Sequence, residues 1–168
     1  MDDIIKFAKQ FNGYPYGSWR EGQIILGQCA PFYADNAPVP RPEEITKISC
    51  AGLINLIRRQ LNLPIPGVVD KYPYAGGSYI WFQSLLPYLE PIDITQPYPI
   101  GTLLIRNYSN ENDQGHLAIL IDSRPTVLQS LLIHAIPPQV EINTVEHTHQ
   151  WLPDGYYTHV VSPENWLT

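Results

Sequence analysis

Proline restricts what this chain can build, because 17 of its 168 residues are proline. Each proline fixes the backbone locally and removes a hydrogen-bond donor, so the sequence predicts many turns and few long helices. The hydrophobic fraction of 44% and the charged fraction of 15% are typical of a globular protein rather than a disordered one. At this length the chain is predicted to form a single domain, residues 1–168, with a core of its own.

Helical patterns occupy the first part of the chain. Apolar residues spaced three and four apart predict a short amphipathic helix over residues 3–12. Similar spacing predicts a second helix over residues 49–61 with Ser49 as its N-cap, and a third over residues 79–86 capped by Ser78. A glycine or a proline follows each of the three predicted ends, as is usual where a helix stops.

Strand patterns replace helical ones after Pro99. Five apolar segments separated by turn residues predict strands. They cover residues 101–108, 116–122, 127–135, 140–146 and 156–161. Helices followed by a run of strands predict an α+β fold, in which the N-terminal helices pack on an antiparallel sheet or barrel of five to six strands.

The segment between the first two helices, residues 20–47, has no clean helical or strand period. Its prolines and aromatic residues predict an ordered insert that forms a loop, a lid or a wall restricting the cleft. Cys29 lies within this insert and is interpreted as a bystander. Several other aromatic residues are candidates for lining a cleft, although packing explains each of them singly; they are Trp19, Tyr72, Tyr74, Tyr79 and Trp81.

Cys50 lies at the predicted start of the second helix. Backbone N–H groups without helical partners and the positive end of the helix dipole meet there. Both stabilise a thiolate, which is the reactive form of cysteine. Taken singly, however, a free cysteine is more often a small buried apolar residue. Its position alone makes Cys50 a candidate nucleophile and nothing more.

Two histidines follow Cys50 in positions that favour catalysis. His116 opens one predicted strand, and His134 lies inside the next one. Taken singly, His134 is more simply explained as a core histidine. A helix start and two neighbouring strands can nevertheless meet at one helix–sheet junction. There His116 would take the thiol proton, and His134 would hold the His116 ring in one tautomer.

Five short motifs in this chain resemble those of the NlpC-type papain-like cysteine peptidases, in the same order. Residues 49–54, Ser-Cys-Ala-Gly-Leu-Ile, resemble the nucleophile motif Asp-Cys-Ser-Gly-Leu-Val. Residues 115–120, Gly-His-Leu-Ala-Ile-Leu, resemble the Gly-His-Val-Gly-Ile-Tyr strand, and residues 133–135 resemble the strand of the third catalytic residue. Residues 13–17 and 100–104 resemble the Pro-Tyr-x-x-Gly-Gly turn and the Pro-Gly-Asp-Leu-Val segment.

The resemblance covers roughly residues 1–146 and implies a papain-like core of helices and a barrel. It implies that Cys50 is the nucleophile, His116 the base and His134 the residue that orients the base. It also implies that Tyr16 lies beside the nucleophile and helps to hold the substrate or the oxyanion, alongside the Cys50 backbone N–H. Bacterial members of the family mostly cleave γ-D-glutamyl or related bonds in cell-wall peptides, and relatives include amidases, acyltransferases and thioesterases.

The chain departs from the family pattern close to the nucleophile. Ser49 replaces the aspartate before the cysteine, Ala51 replaces the serine after it, and Thr102 replaces a further aspartate. In wall peptidases that first aspartate and that serine help to bind a free peptide amine. A neutral Ser49 at this substrate-binding position cannot offer the same ionic partner. The sequence therefore argues against the usual recognition of a wall-peptide amine.

The leading interpretation is a cysteine hydrolase that cleaves a peptide or amide bond through an acyl-enzyme. Peptidoglycan-derived peptides are among its candidate substrates. Two alternatives stay open: an acyltransferase, thioesterase or deamidase on the same scaffold, and a catalytically silent binding or structural module. No cofactor is expected.

Charge and length patterns argue against other classes of protein. The net charge of −6, with no basic run, argues against a nucleic-acid partner. Residues 146–149, Glu-His-Thr-His, offer too few potential ligands to predict a metal site and are interpreted as a strand end. No apolar run approaches the roughly 20 residues of a membrane helix, and residues 1–6 do not resemble a secretory signal. The expected location is the cytoplasm or a phage or virus particle.

Overall fold

A computed structural model describes residues 1–17, 41–67, 76–107, 109 and 115–168. Within these ranges the chain forms five α-helices and one six-stranded antiparallel sheet, so the predicted α+β class is confirmed. None of the helices in the described ranges has the length and apolar character needed to cross a membrane. The helices are α1 (Asp2–Lys9), α2 (Cys50–Gln60), α3 (Ser78–Ser84), α4 (Val145–His149) and α5 (Pro163–Trp166).

The sheet has the strand order β1-β6-β2-β3-β4-β5, and all neighbouring strands are antiparallel. The last strand of the chain therefore lies between the first two. β4 and β5 form a hairpin that pairs six residues of each strand. The strands are β1 (Glu90–Pro91), β2 (Leu103–Arg106), β3 (His116–Leu120), β4 (Leu131–Ile136), β5 (Gln139–Thr144) and β6 (His159–Val161).

The first two helices form as predicted, for local reasons. α1 buries Ile5 and Ala8, and Gly13 turns the chain after it with a φ of +87°. α2 begins at the predicted N-cap, because the Ser49 Oγ accepts a hydrogen bond from the Gly52 N–H at 3.0 Å. The predicted Ser78 cap of α3 was wrong, because Gly77 occupies the N-cap position and the helix starts one residue earlier.

Two predicted strands are partly helical. The segment predicted as a strand over 127–135 begins with a 3₁₀ turn, Val127–Gln129, closed by a hydrogen bond from the Ser130 N–H to the Val127 carbonyl. The predicted strand end at 146–149 was also wrong. These residues belong to α4, because the Thr144 side chain accepts a hydrogen bond from the His147 N–H and caps a helix there.

The two faces of the sheet bury separate apolar clusters. One face carries Leu117, Ile119 and Ile133 and packs against α2. The other carries Ala118 and Leu132 together with side chains from α4 and the chain before β6. Because successive side chains of a strand point to opposite faces, His116 and His134 belong to the second face.

Two buried polar side chains fix the position of α2 in this core. Asn55 accepts a hydrogen bond from the Trp81 indole N–H at 2.8 Å and donates to the Gly76 carbonyl at 3.0 Å. Arg58 donates to the Trp166 carbonyl at 2.6 Å and to the Pro64 carbonyl at 3.0 Å. Polar groups buried with partners of this kind tie the helix to α3, α5 and the loop behind it.

Most of the predicted insert lies outside the described residues, so its role as a lid stays a prediction. Only residues 41–47 of it are described, and they include a 3₁₀ turn at Pro42–Glu44. Cys29, Trp19, Tyr72 and Tyr74 also lie outside the described residues. Of the remaining two cleft candidates, Trp81 is buried in the core and Tyr79 is exposed.

Candidate active site

The N-terminus of α2 brings the Cys50 thiol against the start of β3. The backbone N–H groups of Leu117, Ala51 and Cys50 itself lie around its sulfur and act to lower the pKa of the thiol. Leu117 directly follows His116, so the backbone at the start of β3 lies next to the sulfur. Only 8% of the residue surface of Cys50 is exposed. The structure thus places the Cys50 sulfur at the start of β3, while a contact between the sulfur and the His116 ring stays a prediction.

His116 and His134 are hydrogen-bonded to each other on the second face of the sheet. The distance from His116 Nε2 to His134 Nδ1 is 2.9 Å, and the rings meet edge to face with centroids 5.1 Å apart. Both side chains are buried. Gly115 turns the chain into β3 with a φ of +88°, a conformation that other residues rarely adopt. The predicted pairing of the two histidines is therefore present in the structure.

Glu141 contacts His134 and so extends the histidine pair to a row of three residues, His116, His134 and Glu141. Sequence reasoning missed Glu141. The β4–β5 register places Glu141 directly opposite His134, and its Oε1 lies 3.2 Å from His134 Nε2. The same oxygen accepts a hydrogen bond from Asn143 Nδ2 at 2.9 Å. The alternation of polar and apolar residues along β5 was a visible signal for a polar face. It did not reveal the register that brings Glu141 to His134.

The hydrogen bonds of this row assign the ring tautomers. An ionised carboxylate only accepts hydrogen bonds, so His134 donates its Nε2–H to Glu141. His134 Nδ1 is then an acceptor and receives the Nε2–H of His116. His116 Nδ1 consequently carries a lone pair that can accept a proton.

Tyr16 lies near the nucleophile, as the resemblance implied. Its backbone N–H donates to the Pro138 carbonyl at 2.9 Å, and its strand-like segment bridges to Ile48, two residues before Cys50. Burial, and secondarily the nearby Cys50, raise the pKa of the Tyr16 phenol. The phenol therefore stays protonated and can donate a hydrogen bond.

Ser49 has a clear local role. It is 6% exposed, and its hydroxyl oxygen caps α2 by accepting from Gly52. This bond holds the first turn of the helix in shape and so positions the Cys50 backbone N–H. The Ser49 hydroxyl hydrogen is left for a further acceptor, and its role in substrate binding stays a prediction.

Aromatic residues that sequence reasoning did not connect with the site surround the two histidines. The Tyr157 hydroxyl lies 3.3 Å from His134 Nδ1, and Tyr156 meets the His116 ring edge to face at 5.5 Å. Trp151, which is 41% exposed, stacks on the His134 ring at 6.3 Å. Burial, followed by the nearby Tyr156, raises the pKa of Tyr157 well above its usual value, so its phenol stays protonated. These rings keep water away from the histidine pair.

Burial also sets the protonation states of the reacting groups. It raises the pKa of the Cys50 thiol, and the three surrounding N–H groups only partly oppose this. Burial lowers the pKa of His116 well below its usual value, and His134 and Arg106 lower it further. The resting pair is a neutral thiol and a neutral imidazole. The pKa of the thiol is thus raised, contrary to the expectation of a resting thiolate, because loss of water around the sulfur outweighs the effect of the surrounding N–H groups.

A raised thiol pKa makes a direct prediction about alkylation. We expect iodoacetamide to modify Cys50 slowly at neutral pH, with a rate that rises through and beyond about pH 8.5, the value of an ordinary thiol. The rate constant at each pH is measured by peptide mass spectrometry, with N-acetylcysteine as the reference thiol. A rate that reaches its plateau below pH 7 would mean that Cys50 rests as a thiolate.

A metal centre finds no support in the part of the chain that the structure describes. Within it, no three His, Cys, Asp or Glu side chains lie close enough together to hold a metal ion. His147 is exposed on α4, while the His149 Nδ1 accepts a hydrogen bond from the Tyr157 N–H at 3.4 Å. The two histidines of the 146–149 segment therefore serve different local roles.

Comparisons with family models, with curated proteins and with solved structures found no match to this chain. The resemblance to the NlpC-type peptidases accordingly stays a prediction that rests on the five motifs. What the site can do follows from its own atoms: a thiol at a helix start, a neutral imidazole with one free lone pair, and a second imidazole anchored to a carboxylate.

Proposed function

We propose that this protein is a cysteine hydrolase that cleaves a peptide or amide bond, built on an NlpC-type papain-like core. The observation that carries the proposal is the 2.9 Å hydrogen bond between His116 Nε2 and His134 Nδ1, at the start of the strand whose Leu117 N–H faces the Cys50 sulfur. A histidine pair with a purely structural role in the core would not need a cysteine near it. A nucleophile, its base and an orienting residue are the parts that acyl transfer requires.

The reaction proceeds by proton transfer between neutral groups. As the Cys50 sulfur bonds to the substrate carbonyl carbon, the thiol proton moves to His116 Nδ1 and the carbonyl electron pair moves to the oxygen. The Cys50 backbone N–H and the Tyr16 hydroxyl are the proposed donors to that oxyanion. When the C–N bond breaks, the leaving nitrogen takes the proton from His116, and the acyl group stays on Cys50 as a thioester.

Water completes the cycle. It attacks the thioester carbonyl while His116 takes one of its protons. When the C–S bond breaks, that proton returns to the sulfur and a carboxylic acid leaves. The buried, neutral resting pair suits this sequence, because His116 is unprotonated and ready to act as a base over the whole neutral pH range.

The substrate is proposed to be a peptide or amide that needs no ionic contact from the residue before the nucleophile. Ser49 is neutral and its oxygen is engaged in capping α2. Peptidoglycan-derived peptides without a free amine at this position, internal peptide bonds and side-chain amides all fit that condition.

Acyl-enzyme capture tests the proposal. The protein is incubated with a panel of muropeptides, γ-glutamyl amides, internal peptides, acyl thioesters and glutamine peptides, and its intact mass is measured after acid quenching. We expect a peptide or amide substrate to add one acyl group on Cys50 that hydroxylamine removes, together with release of the free acid. Acylation by thioesters alone would favour an acyltransferase or thioesterase, and ammonia release from glutamine alone a deamidase. No adduct and no product from any member of the panel would contradict an enzymatic role.

A further inference from the structure

We propose that Glu141 is a positioning residue that sets the tautomers of both histidines and so keeps the lone pair of His116 on Nδ1. The inference rests on the proposed function of the Cys50 site and adds a fourth member to it. Glu141 would not touch the substrate. It acts through His134, which it contacts at 3.2 Å.

The surroundings of Glu141 favour this role over that of an ordinary surface ion pair. Its partner His134 is completely buried, whereas the side chain of Glu141 is 26% exposed. The β4–β5 register brings the two residues opposite each other, and Asn143 Nδ2 donates to the same carboxylate oxygen at 2.9 Å. The carboxylate is thus held in place from two sides. Double anchoring of this kind fixes the orientation of an acceptor as well as its position.

Removing the carboxylate would allow the His134 ring to adopt either tautomer. Without it, His134 can carry its proton on Nδ1, where it would face the Nε2–H of His116 at 2.9 Å. Two donors cannot share that contact, so His116 would shift its own proton to Nδ1. In that tautomer the nitrogen that must receive the thiol proton is already protonated, and His116 cannot act as the base.

The carboxylate also has a role while His116 is charged. Once His116 has taken the thiol proton, it is an imidazolium in a buried site next to another imidazole. Its Nε2–H bond to His134, and the His134 bond to Glu141, connect that positive charge to a fixed negative one. Charges interact more strongly where water is excluded, so Glu141 lowers the free energy of the charged intermediate.

Nitrogen-15 NMR of the histidine rings, combined with one matched pair of variants, tests the proposal. In the wild-type protein at pH 8 we expect His116 and His134 both to carry the proton on Nε2. Glu141→Gln keeps the shape of the side chain but removes its charge and adds a donor, and we expect mixed tautomers at both rings. We also expect kcat to fall by about 10- to 100-fold, with KM nearly unchanged. The control is Glu146→Gln, which removes the same charge from the exposed face of α4 and is expected to alter neither readout.

Two outcomes would overturn the inference. One is a wild-type His134 ring protonated on Nδ1, a measurement that needs no variant and holds even if Glu141→Gln fails to fold. The other is a folded Glu141→Gln protein with wild-type tautomers and wild-type kcat. The ring tautomers are measured without any substrate. If only the proposed function is wrong, the tautomers will be as expected but no substrate will be turned over. The two failures are therefore distinguishable.

Discussion

Replacing Cys50 with alanine is expected to remove turnover, with kcat/KM falling by about 10⁴-fold or more on the substrate identified by acyl-enzyme capture. The sulfur is the atom that would bond to the carbonyl carbon, and alanine offers no atom that can replace it. The measurement is steady-state kinetics combined with intact mass, because the acyl adduct must disappear along with the activity. The fold is expected to persist, since the exchange removes a single buried sulfur atom.

Cys29→Ser is the matched control for this experiment, because it removes the only other cysteine of the chain. It is expected to retain wild-type kcat/KM and the adduct. Thermal unfolding of both variants reports whether the fold is intact. If Cys50→Ala keeps activity within about tenfold of the wild type, the nucleophile assignment fails.

Replacing His116 with glutamine is expected to lower kcat by about 10³-fold or more, because glutamine cannot accept and return a proton. The same variant is expected to change how stability depends on pH. Burial holds the pKa of His116 well below the usual histidine value, with His134 and Arg106 acting in the same direction. As pH falls below about 6.5, the unfolded chain binds a proton that the folded protein does not, so the free energy of unfolding decreases.

As the pH falls through this range, each such histidine lowers the free energy of unfolding by at most about 1.4 kcal/mol per pH unit. His134, whose pKa is also lowered by burial despite the opposing effect of Glu141, adds a second contribution. Denaturant unfolding at pH 7.5 and pH 5.5 measures the decrease, and in His116→Gln we expect a shallower one than in the wild type. The control is His147→Gln, which removes an exposed histidine from α4. Equal slopes in the wild type and His116→Gln would contradict a neutral, buried His116.

Local sequence was enough to predict the parts of the site that depend on local structure. The Ser49 cap and the start of α2 at Cys50 both follow from residues near one another in the chain. The errors were also local: a threonine cap at Thr144 overrode the strand pattern and began α4, and Gly77 replaced Ser78 as the cap of α3.

Residues distant in the chain were beyond such reasoning. Glu141 meets His134 only through the register of the β4–β5 hairpin. Tyr157 reaches His134 because the chain returns after α4 to place β6 between β1 and β2. Neither the strand order nor the register can be read from residue spacing, because both depend on which surfaces the folded chain buries together.

The sequence by itself therefore determined that a thiol stands at a helix start, with two histidines on following strands of an α+β fold. Only the tertiary structure decided how these groups are protonated. The start of a helix favours a thiolate when the thiol is in contact with water. In the folded protein, burial raises the pKa of Cys50 and lowers that of His116. Burial is a property of the assembled core, and the cost of a charge away from water exceeds the local stabilisation that the sequence reveals.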